Sequence, residues 1–427
     1  MRSAPKALPA PATRATPASM ALVREERMYQ FLTPVFGGGV RVENQHKHAD
    51  PRTPVRVPSI RGQLRFWWRA CNPQGCKTTE ALFAAETRIF GSTSQPSPLS
   101  LAVVKAPEAR RAFPILKDKF GVVDGMNGLA YGAFPLRDTD NGTDHGVLHE
   151  HRGDWTLSLA YPESIQADVE AALWAWAHFG GLGGRTRRGF GAVTEVKRGQ
   201  GSLATIPEGW RIHVHGLTVP WPHLPAFDAR RLQITPGTWK TPVEAQDFLL
   251  RVLRWLRQGE AGRNPKPEQK QGGHPGRSYW PEPDTIRKLT GSAAPAHRAP
   301  LTRVGAFPRA VFGLPIIFHF KDDRAGDPAE TRLVPRVGDK TRGRLASALI
   351  LRPHLGADGA IEALAVVLAH PAPDGLVLLG KRDHDVTKWT LTEQEARTIG
   401  IEGRPSPLVK GGNVFPDPID RFLEEIR

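Results

Sequence analysis

Apolar residues recur at helical spacing directly before the most glycine-rich stretch of the chain. In residues 164–179, the apolar positions that repeat every three or four residues are Ile165, Val169, Ala172, Leu173 and Trp176. Gly180 can end this helix. Residues 190–196 then alternate as a strand does. The sequence thus predicts a helix, a glycine-rich loop and a strand, in this order.

Two further segments have one apolar helical face. After Ser59, a favourable N-cap residue, this face consists of Ile60, Leu64, Trp67 and Cys71. Residues 241–244 read Thr-Pro-Val-Glu, a capping box with proline at the first helical position, and predict another helix that ends near Gly259. The apolar face of that helix consists of Phe248, Leu249, Val252, Leu253 and Leu256.

The order of the predicted elements indicates two α+β domains. Residues 1–27 are rich in Ala, Pro, Arg and Thr, and we expect a disordered tail there. Residues 28–201 read strand, loop, helix, strands, helix and strand, an order compatible with a ferredoxin-like (RRM-like) fold with insertions. A second domain is expected over residues 202–427. Its strand candidates are residues 210–215, 312–320, 345–351, 361–369 and 375–379.

The charge balance indicates a polyanionic partner. The chain has 58 Lys and Arg against 43 Asp and Glu, a formal net charge of +15. Because arginine suits phosphate binding and base stacking, nucleic acid is the first expectation. The two cysteines, Cys71 and Cys76, argue against a disulfide framework and fit a reducing cytosol. No apolar run reaches the length of a membrane span, so we expect a cytoplasmic protein without a membrane partner.

The loop within residues 178–193 combines six glycines with three arginines, Arg185, Arg187 and Arg188. Backbone N–H groups and guanidinium groups in such a loop favour phosphate binding. A Walker loop is excluded because Phe190 replaces its lysine, and a dinucleotide fingerprint is excluded because this loop follows a helix and opens a strand. Residues 188–193 match five of the first six positions of the ribonucleoprotein motif. The alternative is a flexible glycine-rich hairpin.

Two more segments predict contacts with an anion. Arg61, Arg65 and Arg69 form a stripe about 120° from the apolar face of their helix. No acidic residue between positions 52 and 77 can pair with them, which favours anion binding over a solvated charged face. Arg277 and Trp280 lie in a segment that predicts an exposed basic and aromatic loop.

Two kinds of chemistry compete with binding. Cys71, Cys76, His46 and His48 have side chains that hold zinc, but Cys71 falls on the core face of its helix and no Cys-x-x-Cys pair occurs. His46 and His48 could instead act as general acid and base in RNA cleavage, although lone loop histidines are more often solvated. We therefore predict no metal, cofactor or catalytic residue, and an RNA-processing ribonuclease is the alternative.

Several motifs resemble the RAMP superfamily of CRISPR proteins and, within it, a subunit of the type III-B Cmr complex. In the first half these are TPVFGGG at residues 33–39, PSIRGQLRFWWRA at 58–70 and the glycine-rich stretch 180–191. In the second half they are GRSYWPE at 276–282, FGLPI at 312–316 and RLASAL at 344–349.

The resemblance implies two ferredoxin-like RAMP domains in a non-catalytic subunit at the end of a helical ribonucleoprotein. The implied partners are the 3′ part of the guide CRISPR RNA, the adjoining target RNA and other Cmr subunits. The residues that we predict to bind RNA are Arg61, Arg65, Arg69, Gly183, Gly184, Arg185, Thr186, Arg187, Arg188, Arg277 and Trp280.

Overall fold

The computed structural model describes most of the chain in a series of segments. These are residues 21–36, 55–71, 76, 78–114, 126–134, 147–196, 226–258, 278–302, 304–320, 323–356, 358–369, 372–399 and 406–427. Arg277, His46, His48 and the strand predicted at residues 210–215 lie outside these ranges.

The first half contains an antiparallel sheet with the strand order β2-β5-β1-β6 and a separate hairpin of β3 and β4. Its elements are β1 (Leu22–Phe31), α1 (Val57–Cys71), α2 (Thr79–Phe90), β2 (Ser100–Lys105), β3 (Glu108–Pro114), α3 (Asn127–Gly132), β4 (Val147–Arg152), β5 (Trp155–Pro162), α4 (Gln166–Phe179) and β6 (Val193–Glu195).

Aromatic side chains dominate the core between this sheet and helices α1 and α4. Trp67 and Trp68 of α1 and Trp176 of α4 are buried there. They meet Tyr29 of β1 and Trp155 of β5, whose rings stack 5.0 Å apart. The apolar face predicted for α1 is confirmed, because all four of its residues are buried. Burial of such large rings supplies much of the hydrophobic stabilisation of a core.

The described part of the second half contains two larger antiparallel sheets and a separate two-stranded sheet. Its elements are β7 (Ala226–Pro236), α5 (Pro242–Gln258), α6 (Glu282–Thr290), β8 (Ile316–Phe318), β9 (Thr331–Val337), β10 (Lys340–Thr341), β11 (Leu349–Leu355), β12 (Ile361–Ala369), β13 (Gly375–Leu379), β14 (His384–Val386), α7 (Glu393–Thr398), β15 (Val409–Lys410), β16 (Asn413–Val414) and α8 (Pro418–Glu425). One sheet has the order β11-β12-β7, and the other has the order β10-β9-β13-β14 with β8 on β9.

Strands β11 and β12 are buried on both faces, and this explains their nearly continuous apolar sequence. Ile350 and Leu364 belong to the core with α1 and α4, whereas Leu351 and Ala365 belong to the core with α5. Alternate side chains of a strand point to opposite faces, so one sheet serves both cores. The two halves of the chain are therefore packed together through this sheet.

The first strand begins earlier than the sequence indicated. Residues 22–27, which were expected in the disordered tail, belong to β1. These residues are charged, and so their sequence does not show the alternation of a half-buried strand. The strand can form because Arg27, which is only 4% exposed, pairs with Glu25 at 2.8 Å and with Glu170 of α4. Since Glu170 lies 143 residues further along the chain, no local pattern could predict this pairing. In the second half, only Ile316–Phe318 of the residues predicted at 312–320 forms a strand.

Arg352 of β11 is a buried cation that joins the two halves. It is 1% exposed, and its Nη1 and Nη2 donate to the carbonyl oxygens of Gly180 and Val193, both at 2.7 Å. Gly180 lies at the end of α4 and Val193 at the start of β6. No carboxylate in the described ranges pairs with Arg352, and burial lowers the pKa of its guanidinium to about 9. Arg352, which belongs to the second half, thus holds both ends of the loop between α4 and β6.

We predict that Arg352→Met lowers the free energy of unfolding by about 2–4 kcal/mol, because it leaves two buried carbonyl groups without donors. Arg332→Met, at an exposed position of β9, is the matched control and should change stability by less than about 0.5 kcal/mol. Urea unfolding of both variants measures the difference. Equal free energies of unfolding for the two variants would show that the hydrogen bonds of Arg352 do not stabilise the fold.

A second prediction concerns Glu362 of β12, whose pKa is raised to about 7 by burial and by Asp358. His354 lies opposite on β11, but burial and Arg352 lower its pKa to about 3, so it stays neutral and cannot compensate the carboxylate. A raised carboxyl pKa means that the folded state loses stability as pH rises from about 4.5 to 7. Glu362→Gln should therefore stabilise the fold by about 1–2 kcal/mol more near pH 8 than near pH 5.

Thermal unfolding at both pH values tests this prediction, with Glu393→Gln at an exposed position of α7 as the control. An effect of Glu362→Gln that is independent of pH would contradict the assignment.

Candidate functional site

The glycine-arginine loop, residues 180–191, runs back along the end of β1. At its start, the N–H of Gly180 donates to Trp176 O at 2.8 Å and ends α4. In the middle, the N–H of Gly184 donates to Phe36 O at 2.6 Å, and near the end Gly191 donates to Pro34 O at 2.8 Å. The predicted order of helix, loop and strand is confirmed. These backbone hydrogen bonds join the loop to the segment that follows β1, in contrast to the alternative of a flexible hairpin.

Two of the loop glycines are required by neighbouring protein atoms. A Cβ at Gly184 would lie 2.9 Å from the ring of Phe36, and one at Gly189 would lie 2.9 Å from Leu351 O of β11. Gly189 also has a φ of +80°, which other residues rarely adopt. Gly184 therefore approaches protein atoms closely, and its contact with RNA stays a prediction. Gly183, with a φ of 86°, is exposed.

The three loop arginines donate to main-chain carbonyl oxygens of other elements. Thr186–Arg188 forms one 3₁₀ turn after Arg185, which has a left-handed φ of 54°. Arg185 donates to Gly132 O at 2.8 Å, at the end of α3. Arg187 donates to Ser347 O, and Arg188 donates to Leu349 O at 3.0 Å and to Phe312 O at 3.3 Å. These contacts fix the loop between α3 and the strand β11.

The positive charge of these arginines is not neutralised by any carboxylate in the described ranges. Burial lowers the pKa of Arg187 to about 10 and, with help from nearby Arg257, that of Arg188 to about 9. Burial also lowers the pKa of Arg185, and the positive charges of Arg257 and Arg344 add to this effect. All three remain cationic at neutral pH. The loop therefore carries charge that favours an anionic ligand.

The arginine stripe of α1 has partners that the sequence reasoning missed. Arg61 donates to Ser97 Oγ at 2.7 Å and to Leu99 O at 3.1 Å. Arg65 and Arg69 both pair with Glu86 of α2, whose side chain is 4% exposed. The argument from a missing acidic partner was wrong, because the partner comes from the next helix. About a third of the Arg65 and Arg69 side chains remains exposed.

Two aromatic residues in the predicted binding motifs are buried. Trp280 was expected in an exposed loop, but it is 0% exposed and its Nε1 donates to Leu256 O at 3.1 Å. Phe190, in the stretch that matches the ribonucleoprotein motif, is also 0% exposed and packs 5.7 Å from Phe36. Neither ring can stack on a base in this structure. The prediction of an exposed Trp280 was therefore wrong.

The remaining sequence predictions concern metal and membrane. Cys71 is buried with its Sγ 3.9 Å from Ala171 O, and burial raises the pKa of its thiol. Among the described residues, no group of three or more His, Cys, Asp or Glu side chains could hold a metal ion. Within the same ranges, no helix has the length and apolar character needed to cross a membrane.

A cavity of about 670 Å³ lies beside the glycine-arginine loop. The loop contributes Arg185 and Arg188, and the last turns of α5 contribute Arg254 and Arg257. The sequence reasoning missed the two arginines of α5. Their spacing of three residues on the polar side of a well-predicted helix was the available signal.

Comparison with known proteins finds similarity in the first half of the chain. Residues 29–194 match the family described as the RAMP superfamily. The matched region is less than half of the chain. The CRISPR system Cmr subunit Cmr1-1 of Pyrococcus furiosus is 28% identical over 152 residues, which are 34% of this chain. The alignment spans 41% of that relative's length, well under two thirds. The resemblance stated from the motifs is thereby confirmed.

Two solved structures are also similar to this chain. The crystal structure of Cmr1 from Pyrococcus furiosus in its apo form is 16% identical, with a TM-score of 0.46, and the match covers 94% of this chain and 96% of that one. The type III-B Cmr-beta complex bound to cognate target RNA contains a chain that is 11% identical, with a TM-score of 0.43 and coverages of 94% and 99%. The RAMP match ends at residue 194, so it includes the glycine-arginine loop but not α5.

The pairing in this RAMP region predicts a structural role for Arg65 and Arg69. Replacing both with alanine leaves Glu86 buried without a cation, which should cost about 2–3 kcal/mol of unfolding free energy. Adding Glu86→Gln should restore part of the loss, because the buried charge is removed. Arg88→Ala, at an exposed position of α2, is the control.

Guanidinium unfolding and RNA binding are measured on the same variants. Should the double variant keep its stability and lose RNA affinity instead, the stripe is a binding surface.

Proposed function

We propose that this chain is a non-catalytic, RNA-binding subunit of a type III-B Cmr ribonucleoprotein. In that role it holds the 3′ part of the guide RNA and the adjoining target RNA for antiviral defence in the cytoplasm. The observation that carries the proposal is the similarity to a Cmr subunit together with the RAMP match over residues 29–194. This match contains the loop in which unneutralised arginines are concentrated.

We also infer that both halves are ferredoxin-like domains, at residues 28–201 and 202–427. The first domain starts earlier than residue 28, because β1 begins at Leu22. The strands and helices β1, α1, β2, β5, α4 and β6 occur in the order βαββαβ, with a sheet order of β2-β5-β1-β6. The second half repeats the first part of this pattern as β7, α5, β11 and β12, with the order β11-β12-β7. These two similar arrangements support a duplicated architecture.

The chemistry of the loop favours binding over catalysis. Its arginines are cations held by main-chain carbonyls, an arrangement that positions charge and offers phosphate a charge-assisted hydrogen bond. General acid and base chemistry needs groups that exchange protons near neutral pH, and the pKa of Arg188 remains near 9. The net charge of +15 supports an RNA partner through the same electrostatic attraction.

The proposal is tested by producing the tagged chain with the other subunits of its complex and sequencing the RNA that co-purifies. Enrichment of guide RNA, together with electron-microscopy density for this chain at the guide 3′ end, is the expected result. Incubation of the purified chain with labelled precursor RNA, with and without EDTA, tests the alternative ribonuclease. Specific cleavage that is lost in His46→Ala would replace the proposal with that activity.

We predict that the isolated full-length chain binds single-stranded RNA with a steep salt dependence and little sequence preference. Phosphate contacts release counterions and carry no sequence information, so log K should fall with log salt at about 0.7 per contact. Filter-binding isotherms at several salt concentrations, with two RNAs of equal length and different sequence, measure both properties. A flat salt profile or a strong preference for one RNA would overturn the prediction.

A further inference from the structure

The cavity beside the glycine-arginine loop has walls from four parts of the chain. Helix α3 and the residues after it form one wall, the end of α5 forms another, and Pro315 with the start of β8 forms a third. The loop itself closes the cavity with Arg185 and Arg188. Its volume of about 670 Å³ is within the range of small-molecule sites in proteins.

Among the described residues, four arginines and no carboxylate line this cavity. Arg185 and Arg188 are held in place by main-chain carbonyls, and Arg257 donates to the hydroxyl of Tyr131 at 2.8 Å. Arg254 is exposed, and no ion pair or hydrogen bond joins it to the described part of the chain. Burial lowers the pKa of both loop arginines, and the positive charge of Arg257 lowers it further. An anion bound between these arginines would relieve their repulsion.

The same cavity also has an exposed apolar side. Phe134 is 58% exposed and Ile317 is 50% exposed, and both belong to the cavity lining with Tyr131. Apolar side chains that line a cavity together with a few charged groups are typical of ligand-binding sites. A ligand that fits this lining carries negative charge at one end and a flat apolar group at the other.

We propose that this cavity binds one nucleotide unit of the single-stranded RNA. Its phosphate lies between Arg254 and Arg185, and its base lies against Phe134. A nucleotide combines the two features that the lining requires, and stacking on an aromatic ring accepts every base. The inference rests on the proposed function, and it adds Arg254 of α5 and Phe134, which follows α3, to the residues predicted to bind RNA.

The test uses the full-length chain and single-stranded RNA that carries 2-aminopurine at successive positions. Arg254→Gln should lower the affinity about fivefold at 0.15 M salt and reduce the salt slope by about 0.7, because one phosphate contact is lost. Phe134→Ala should lower the affinity about tenfold without changing the salt slope, because it removes stacking and no charge. It should also reduce the quenching of 2-aminopurine that binding to the wild-type chain causes.

Two matched controls share the chemistry and the exposure of the variants but lie elsewhere. Arg397→Gln is at an exposed position of α7, and Phe83→Ala, on α2, removes a side chain that is 57% exposed. Both controls should bind RNA like the wild type. Circular dichroism checks that all four variants are folded.

The outcomes separate this inference from the proposed function. If the wild-type chain binds RNA and both cavity variants bind it with the same affinity, the cavity is not a nucleotide site. The proposed RNA-binding function would still hold. If the wild-type chain binds no RNA, both the proposed function and this inference are wrong. If the cavity variants keep their RNA affinity but lose another subunit of the complex during purification, the occupant is a protein and the inference is wrong.

Discussion

The bond between Arg352 and the two ends of the glycine-arginine loop is the constraint on which the arrangement of this molecule depends. One guanidinium accepts burial because the carbonyl groups of Gly180 and Val193 replace its hydration. Gly180 follows the C-terminus of α4, where the helix dipole favours a cation. The loop therefore leaves α4 and enters β6 at positions that β11 of the other half determines.

The same principle extends along the loop, where arginines meet carbonyl oxygens instead of carboxylates. A carbonyl group satisfies the hydrogen bonds of a guanidinium but leaves its net charge in place. The pairs of Arg65 and Arg69 with Glu86 differ, since a carboxylate offsets part of their charge. Arg185 thus joins two parts of the protein and still contributes positive potential to the cavity beside it. Structural and electrostatic roles coexist in one side chain.

Much of the architecture followed from local patterns. The helices α1, α4 and α5 were predicted because apolar residues recur at helical spacing in each, and such residues are close together in sequence. The start of β1 was predicted too late, because the charge of Arg27 is neutralised by a residue far along the chain. The strand β8 was predicted too long because Phe312 is the last residue of a 3₁₀ turn and Leu314 forms only an isolated bridge with Leu345.

The sequence by itself determined the mixed helix and sheet class, the RAMP resemblance, the excess of positive charge and the order of helix, loop and strand around residues 180–191. Only the tertiary structure decided which charges and rings are available to a partner. Trp280 is buried against α5, Glu86 reaches α1 from the next helix, and Arg254 and Arg185 line the same cavity. These facts depend on contacts between elements distant in sequence, and hydrophobic periodicity reports only which face of each element is buried.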